Sequence, residues 1–166
     1  TENTFKPEFS DKVLLLEDSI ADVSDLEKSL DLSPGELNQV KRTEVYLDYE
    51  EKAEQLYFNV TELVKIQGEL QASQLRAKSL EEQFLEIENT IELAENESEK
   101  ESFRTEAMKL RVSAQVEYAV ALGLVEDREE LMTSSEDLRA DLLALQITMN
   151  PTALLAAAEK TTDFSG

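Results

Sequence analysis

Three polar side chains interrupt an otherwise apolar repeat in the second half of this chain: Glu117, Arg128 and Ser135. With the acidic runs "ENESEKES" (95–102) and "EDREE" (126–130), they are the groups whose type and spacing invite a chemical reading. The inventory limits that reading severely. The chain contains no His, no Cys and no Trp. Ser–His and Cys–His nucleophile pairs are therefore excluded, as are zinc sites built on imidazole or thiolate. A di-metal carboxylate bundle needs Glu-x-x-His pairs, which are missing. No Walker loop, dinucleotide-binding glycines or EF-hand loop is present. What remains is carboxylate chemistry: weak capture of a divalent cation, or plain solvated helix surface. Acids four residues apart recur throughout so acidic a chain, so no pair is specific. The sequence is read as a non-enzyme with no cofactor and no metal.

A polar residue on a helical seam has a different use. It sets register or oligomeric state at some cost in stability. Glu117 and Arg128 are candidates for this role, paired with each other across an antiparallel dimer. The plainer alternative is that both reach out to solvent along their aliphatic stems.

The elements that carry these residues follow from composition and periodicity. Gly occurs 4 times and Pro 3 times in 166 residues, too few for the turns of an all-β fold. Glu, Leu, Ala, Lys and Gln dominate, and all lose little rotamer freedom in a helix. The expected fold is all-α: an elongated helical hairpin or coiled coil with an additional N-terminal helix. Residues 1–9 read as an irregular lead-in. Ser10 is the expected N-cap of a helix over 10–32, whose Val13, Leu16, Ile20, Val23, Leu26 and Leu30 step by three and four. Ser33, Pro34 and Glu36 form a capping box with proline at the first helical position. A helix from there is expected to run to about Ala94.

Along that helix Leu56, Val60, Leu63, Ile66 and Leu70 form a stripe, with two successive steps of three that imply local overwinding. Leu80, Phe84, Ile87 and Ile91 continue it as heptads. The run 95–102 has no apolar side chain and breaks the phase. It is read as the turn of a hairpin, in preference to one helix continuing through solvent. From Phe103 the seam is regular: Ala107, Leu110, Ala114, Glu117, Ala121, Leu124, Arg128, Leu131, Ser135, Leu138, Leu142, Leu145 and Met149 follow. Only Glu117, Arg128 and Ser135 among these are polar, a sustained coiled-coil signal. Thr133 with Glu136 offers a recapping point and hence a kink. Asn150-Pro151 should end the helix, leaving a short helix over 152–160 and a loose tail to 166. The domain reading is thus 1–9, 10–32, 33–150 and 151–166.

Within this frame Tyr118, Val120, Ala121, Leu122, Gly123, Leu124 and Val125 form an uncharged run, with Ala119 among them. Only Ala121 and Leu124 face the seam, and a two-stranded seam covers about two-sevenths of a helix. A helix apolar all round is buried on several sides. In a hairpin the run faces residues 70–78, "LQASQLRAK", which is small and polar and reads as poor cover. These residues are therefore the expected interface with another copy or with other subunits, unless the N-terminal helix folds back over them.

Net charge is −21 and evenly spread, with 19 acids and 9 bases over residues 1–83 and 18 and 7 over 84–166. Such a field disfavours nucleic acid and anionic membrane. No apolar run approaches the length needed for membrane insertion. The chain begins at Thr1 instead of Met, as expected of a processed or trimmed N-terminus. The sequons at Asn59 and Asn96 carry little weight. The expected function is a structural or assembly subunit of a virion, appendage or secretion-type particle. An acidic adaptor or chaperone for a basic client is the alternative.

Overall fold

The computed structural model describes the backbone of residues 7–165 and the side chains of residues 9–160 apart from Ser24. Five helices follow one another: α1 (Pro7–Leu30), α2 (Pro34–Val40), α3 (Glu44–Leu93), α4 (Glu97–Thr148) and α5 (Pro151–Ser165). No strand occurs among the described residues. The two long helices pack against each other as a hairpin, with the N-terminal helix in addition, so the all-α hairpin reading holds.

The boundaries have local causes, and several differ from those expected. Helix α1 starts at Pro7, where a proline loses nothing by lacking an N–H. Ser10 therefore lies inside the first turns and is exposed; it is not the cap. Residues 1–6 of the expected lead-in lie outside the described residues. Asp31, with φ of 50°, stops α1 in the left-handed region, which a short acidic side chain tolerates. The capping box of α2 forms as expected. Ser33 Oγ accepts from the Glu36 N–H at 3.3 Å, and Glu36 Oε1 accepts from the Ser33 N–H at 3.2 Å.

The helix begun at Pro34 does not run on to Ala94. It ends at Val40, because Thr43 offers its backbone an alternative. The Thr43 hydroxyl donates to the Val40 carbonyl at 2.7 Å, and the Arg42 and Thr43 N–H groups fall back on Gln39 and Val40. The Thr43 carbonyl then accepts from the Leu47 N–H at 3.0 Å, which opens α3. No glycine or proline marks this break.

The hairpin turn is shorter than the run 95–102. Only residues 94–96 leave the helix, and Asn96 caps α4 by accepting from the Glu99 N–H at 2.8 Å. Most of "ENESEKES" is the first turns of α4. The helix does not recap at Thr133, where α4 is helical throughout. Asn150 caps α5 by accepting from the Ala153 N–H at 2.8 Å, and α5 runs as far as Ser165, beyond the expected short helix. The tail read as loose is helical to that point; its side chains and Gly166 lie outside the described residues.

The chain divides into two compact units, one built on Val64–Glu129 and the other on Phe5–Leu63 with Glu130–Gly166. The second unit holds the main core. Val13, Leu16 and Leu30 of α1, Val40 of α2, Tyr46, Tyr49, Leu56, Val60 and Leu63 of α3, Met132, Leu142 and Met149 of α4 and Leu154 of α5 cluster there. Leu131, Leu138 and Leu145 pack against this cluster half-buried. Helix α2 lies against α5. Polar ties cross the core at its rim. Gln146 Nε2 donates to Tyr49 Oη at 2.8 Å, and Arg139 Nε donates to Ser19 Oγ at 3.0 Å. Tyr46 Oη donates to Glu27 Oε1 at 3.1 Å, where the Lys41 ammonium also sits at 2.9 Å. That hydrogen bond from Lys41, opposed by partial burial, leaves the Glu27 carboxyl below its ordinary value. Burial, then the Glu27 charge, pushes the Tyr46 phenol up.

Candidate interaction surface

The hairpin seam in the Val64–Glu129 unit mixes small residues with large apolar ones. On α3 the buried positions are Ile66, Leu70, Ser73 and Ala77, followed by half-buried Leu80, Phe84, Ile87 and Ile91. On α4 they are Ala107, Ala114 and Ala121, with Phe103, Leu110, Glu117, Leu124 and Arg128 half-buried between them. Steps of three and four alternate without interruption on both helices. The overwound stretch expected at 60–63–66 disappears once buried Asn59 takes the position before Leu63. Asn59 and Ser73 were passed over because polar residues do not register in a search for apolar stripes. Residues 70–77 are thus good cover for α4: Leu70 and Ser73 are fully buried and Ala77 nearly so. Asn59, buried and bonded to Gln55 and Ser134, cannot accept a glycan in the folded chain. Asn96 is exposed at the turn.

Glu117 and Arg128 both find partners inside the chain, not in each other. Ser73 Oγ lies 2.9 Å from Glu117 Oε2, and Arg76 Nε donates to Glu117 Oε1 at 3.0 Å. Arg128 Nη1 donates to Gln67 Oε1 at 2.9 Å. These contacts join α4 to α3 across the seam. The Glu117 carboxyl is held below the ordinary range, first by the bond from Arg76 and then by that from Ser73. A group with a depressed folded pKa contributes stability above its unfolded value and loses it as pH falls through the folded one. Glu117→Gln should therefore lower the melting temperature relative to the parent at pH 7, and by less at pH 3. A gap of the same size at both pH values in paired thermal melts would show that Glu117 acts by shape and not by charge.

The seven residues expected to form the interface divide between two faces. Tyr118, Ala121, Leu124 and Val125 turn toward α3: Ala121 is 7% exposed, the others are half-buried, and Tyr118 Oη donates to Glu81 at 2.6 Å. Val125 was placed off the seam, yet it belongs to a second inward stripe that begins at Tyr118 and repeats every seven residues. Val120, Leu122 and Gly123 stay outside, with Val120 47% and Leu122 67% exposed.

They are joined there by Met108, Val112 and Val116, all more than half exposed, and by Ala119. Between Val112 and Val125 the only charged residue is Glu117, which is spent on Arg76 and Ser73. The outer face of α4 is therefore uncharged over about four turns, with exposed Ser113 and Gln115 among its apolar residues. Its signal in the sequence was the i, i+4 row Met108, Val112, Val116, Val120, which lies outside the heptad seam. Among the described residues no acidic group has the geometry to hold a metal ion, and no helix is long and apolar enough to cross a membrane. Comparison of the chain with protein-family models, curated proteins and solved structures finds no match.

Proposed function

We propose that this chain is a non-enzymatic structural subunit that self-associates, or packs into a larger assembly, through the outer face of α4. One observation carries the reading. Met108, Val112 and Val116, with Val120 and Leu122 on either flank, stand exposed along the outer side of α4, which between Val112 and Val125 carries no charge but the inward Glu117, in a molecule whose net charge is −21. Leaving a large apolar side chain in water forfeits about 1.5–3 kcal/mol of burial, and contiguous exposed patches of this kind mark interaction sites. The hairpin gives that face a firm backing, since the seam beneath it is locked by Ser73, Arg76 and Glu117.

Sedimentation of the purified chain across a salt series tests the proposal. The expected mass exceeds the 18.7 kDa of one chain and holds or rises at high salt, because screening removes repulsion between acidic copies while apolar burial remains. The acidic surface also favours an adaptor that holds a basic client. That reading takes over if the chain is a monomer at every salt concentration and releases a basic polypeptide as salt rises.

A further inference from the structure

The charges that flank the apolar face of α4 differ in sign at its two ends. On the N-terminal side Lys109 and Arg111 are exposed, with no acid after Glu106 until Glu117. On the C-terminal side Glu126, Asp127 and Glu129 are exposed, and Arg128 among them is turned inward onto Gln67. A second copy laid parallel and in register would set acid on acid and base on base. Laid antiparallel, it sets each basic end on an acidic end.

We infer that the occupant of this face is a second copy of the chain, docked antiparallel about a two-fold axis near Ala119. The inference rests on the self-association proposed above and adds its geometry. With Ala119 facing Ala119, residue 112 meets residue 126 near the centre, while on the two flanks residue 109 meets residue 127 and residue 111 meets residue 129. Val116 then lies beside Gly123 of the other copy. Ala119 and Gly123 allow close approach of the two axes, and a methyl group built on Gly123 meets nothing within 4 Å among the described residues. The space over that glycine is open for the second copy. An isologous contact of this kind also closes on itself and needs no further chain to satisfy it.

Because the chain has no cysteine, single thiols report contacts cleanly. Val112→Cys and Glu126→Cys chains, one bearing a size tag, are mixed and oxidised under native conditions. Disulfides should form between the two variants in preference to either variant with itself. In parallel, Lys109→Glu with Arg111→Glu should weaken association by about tenfold, as like charges then face each other across the contact. Adding Asp127→Lys with Glu129→Lys should restore it. Helicity, measured on each variant, should not change, since all six positions are exposed. If the parent chain associates but Val112→Cys couples mainly to itself, or the charge swap fails to rescue, the antiparallel geometry is wrong while self-association stands. A parent chain that is monomeric at all concentrations sinks both.

Discussion

Leu63→Ala should lower the unfolding free energy by about 2–5 kcal/mol, the range for deleting a buried leucine side chain and leaving its space unfilled. Leu63 is 0% exposed in the cluster that includes Leu56, Val60 and Met132. For a chain of this size each kcal/mol moves the melting midpoint by roughly 2–4 °C. Leu85, on the same helix but 57% exposed, supplies the control. Leu85→Ala should change stability by less than about 0.5 kcal/mol, as surface substitutions do. Chemical denaturation of both variants at one protein concentration makes the comparison, since association would otherwise shift the apparent stability. Similar losses at the two sites would mean that Leu63 is not in a packed core.

The contrast between these two leucines was legible in the sequence because heptad stepping separates them. Where an element announces itself through side-chain period or capping chemistry, the reading was close. The Ser33–Glu36 box, the apolar face of α1, the stop before Pro151 and the hairpin itself are of this kind. The residues that were missed are polar ones doing apolar duty. Asn59 and Ser73 sit on the α3 seam because each has a partner across the hairpin, Ser134 and Glu117 respectively. Their burial depends on helix pairing, which no single-helix pattern reveals. Thr43 ends α2 by a hydroxyl bond to a carbonyl three residues back, and threonine makes such bonds in helices that continue as well as in those that stop. Thr61, Thr90 and Thr105 do the same four residues back without breaking their helices.

The candidate surface was half legible for a related reason. The uncharged run 118–125 was evident, but charge along a sequence does not say which side of a helix is bare. Inward residues Tyr118, Ala121, Leu124 and Val125 are covered by α3, so the run overstated the patch at that end. Met108, Val112 and Val116 were interleaved with Lys109, Arg111 and Gln115, so it understated the patch at the other. Only the pairing of α4 with α3 decides which of these side chains share a face.

Leu122→Glu should abolish self-association and leave the fold intact. Leu122 is 67% exposed, and Glu and Leu have similar helix propensity, so neither helicity nor the seam beneath should suffer. In the associated state the new carboxylate would be buried between copies without a cation to meet it, and by symmetry each contact would carry two such groups. Uncompensated charge of this kind is far costlier than the lost apolar contact alone. Leu93→Glu is the matched control, a leucine 82% exposed at the end of α3 and remote in sequence from the patch. Mass by sedimentation and helicity by circular dichroism read both variants. The expected outcome is a folded 18.7 kDa species for Leu122→Glu and parent-like mass for Leu93→Glu. Leu124, two residues on, cannot serve instead, because it is half-buried in the intramolecular seam and its loss would loosen the hairpin itself. If Leu122→Glu keeps the parent mass, copies meet elsewhere and the outer face of α4 is not the surface that joins them.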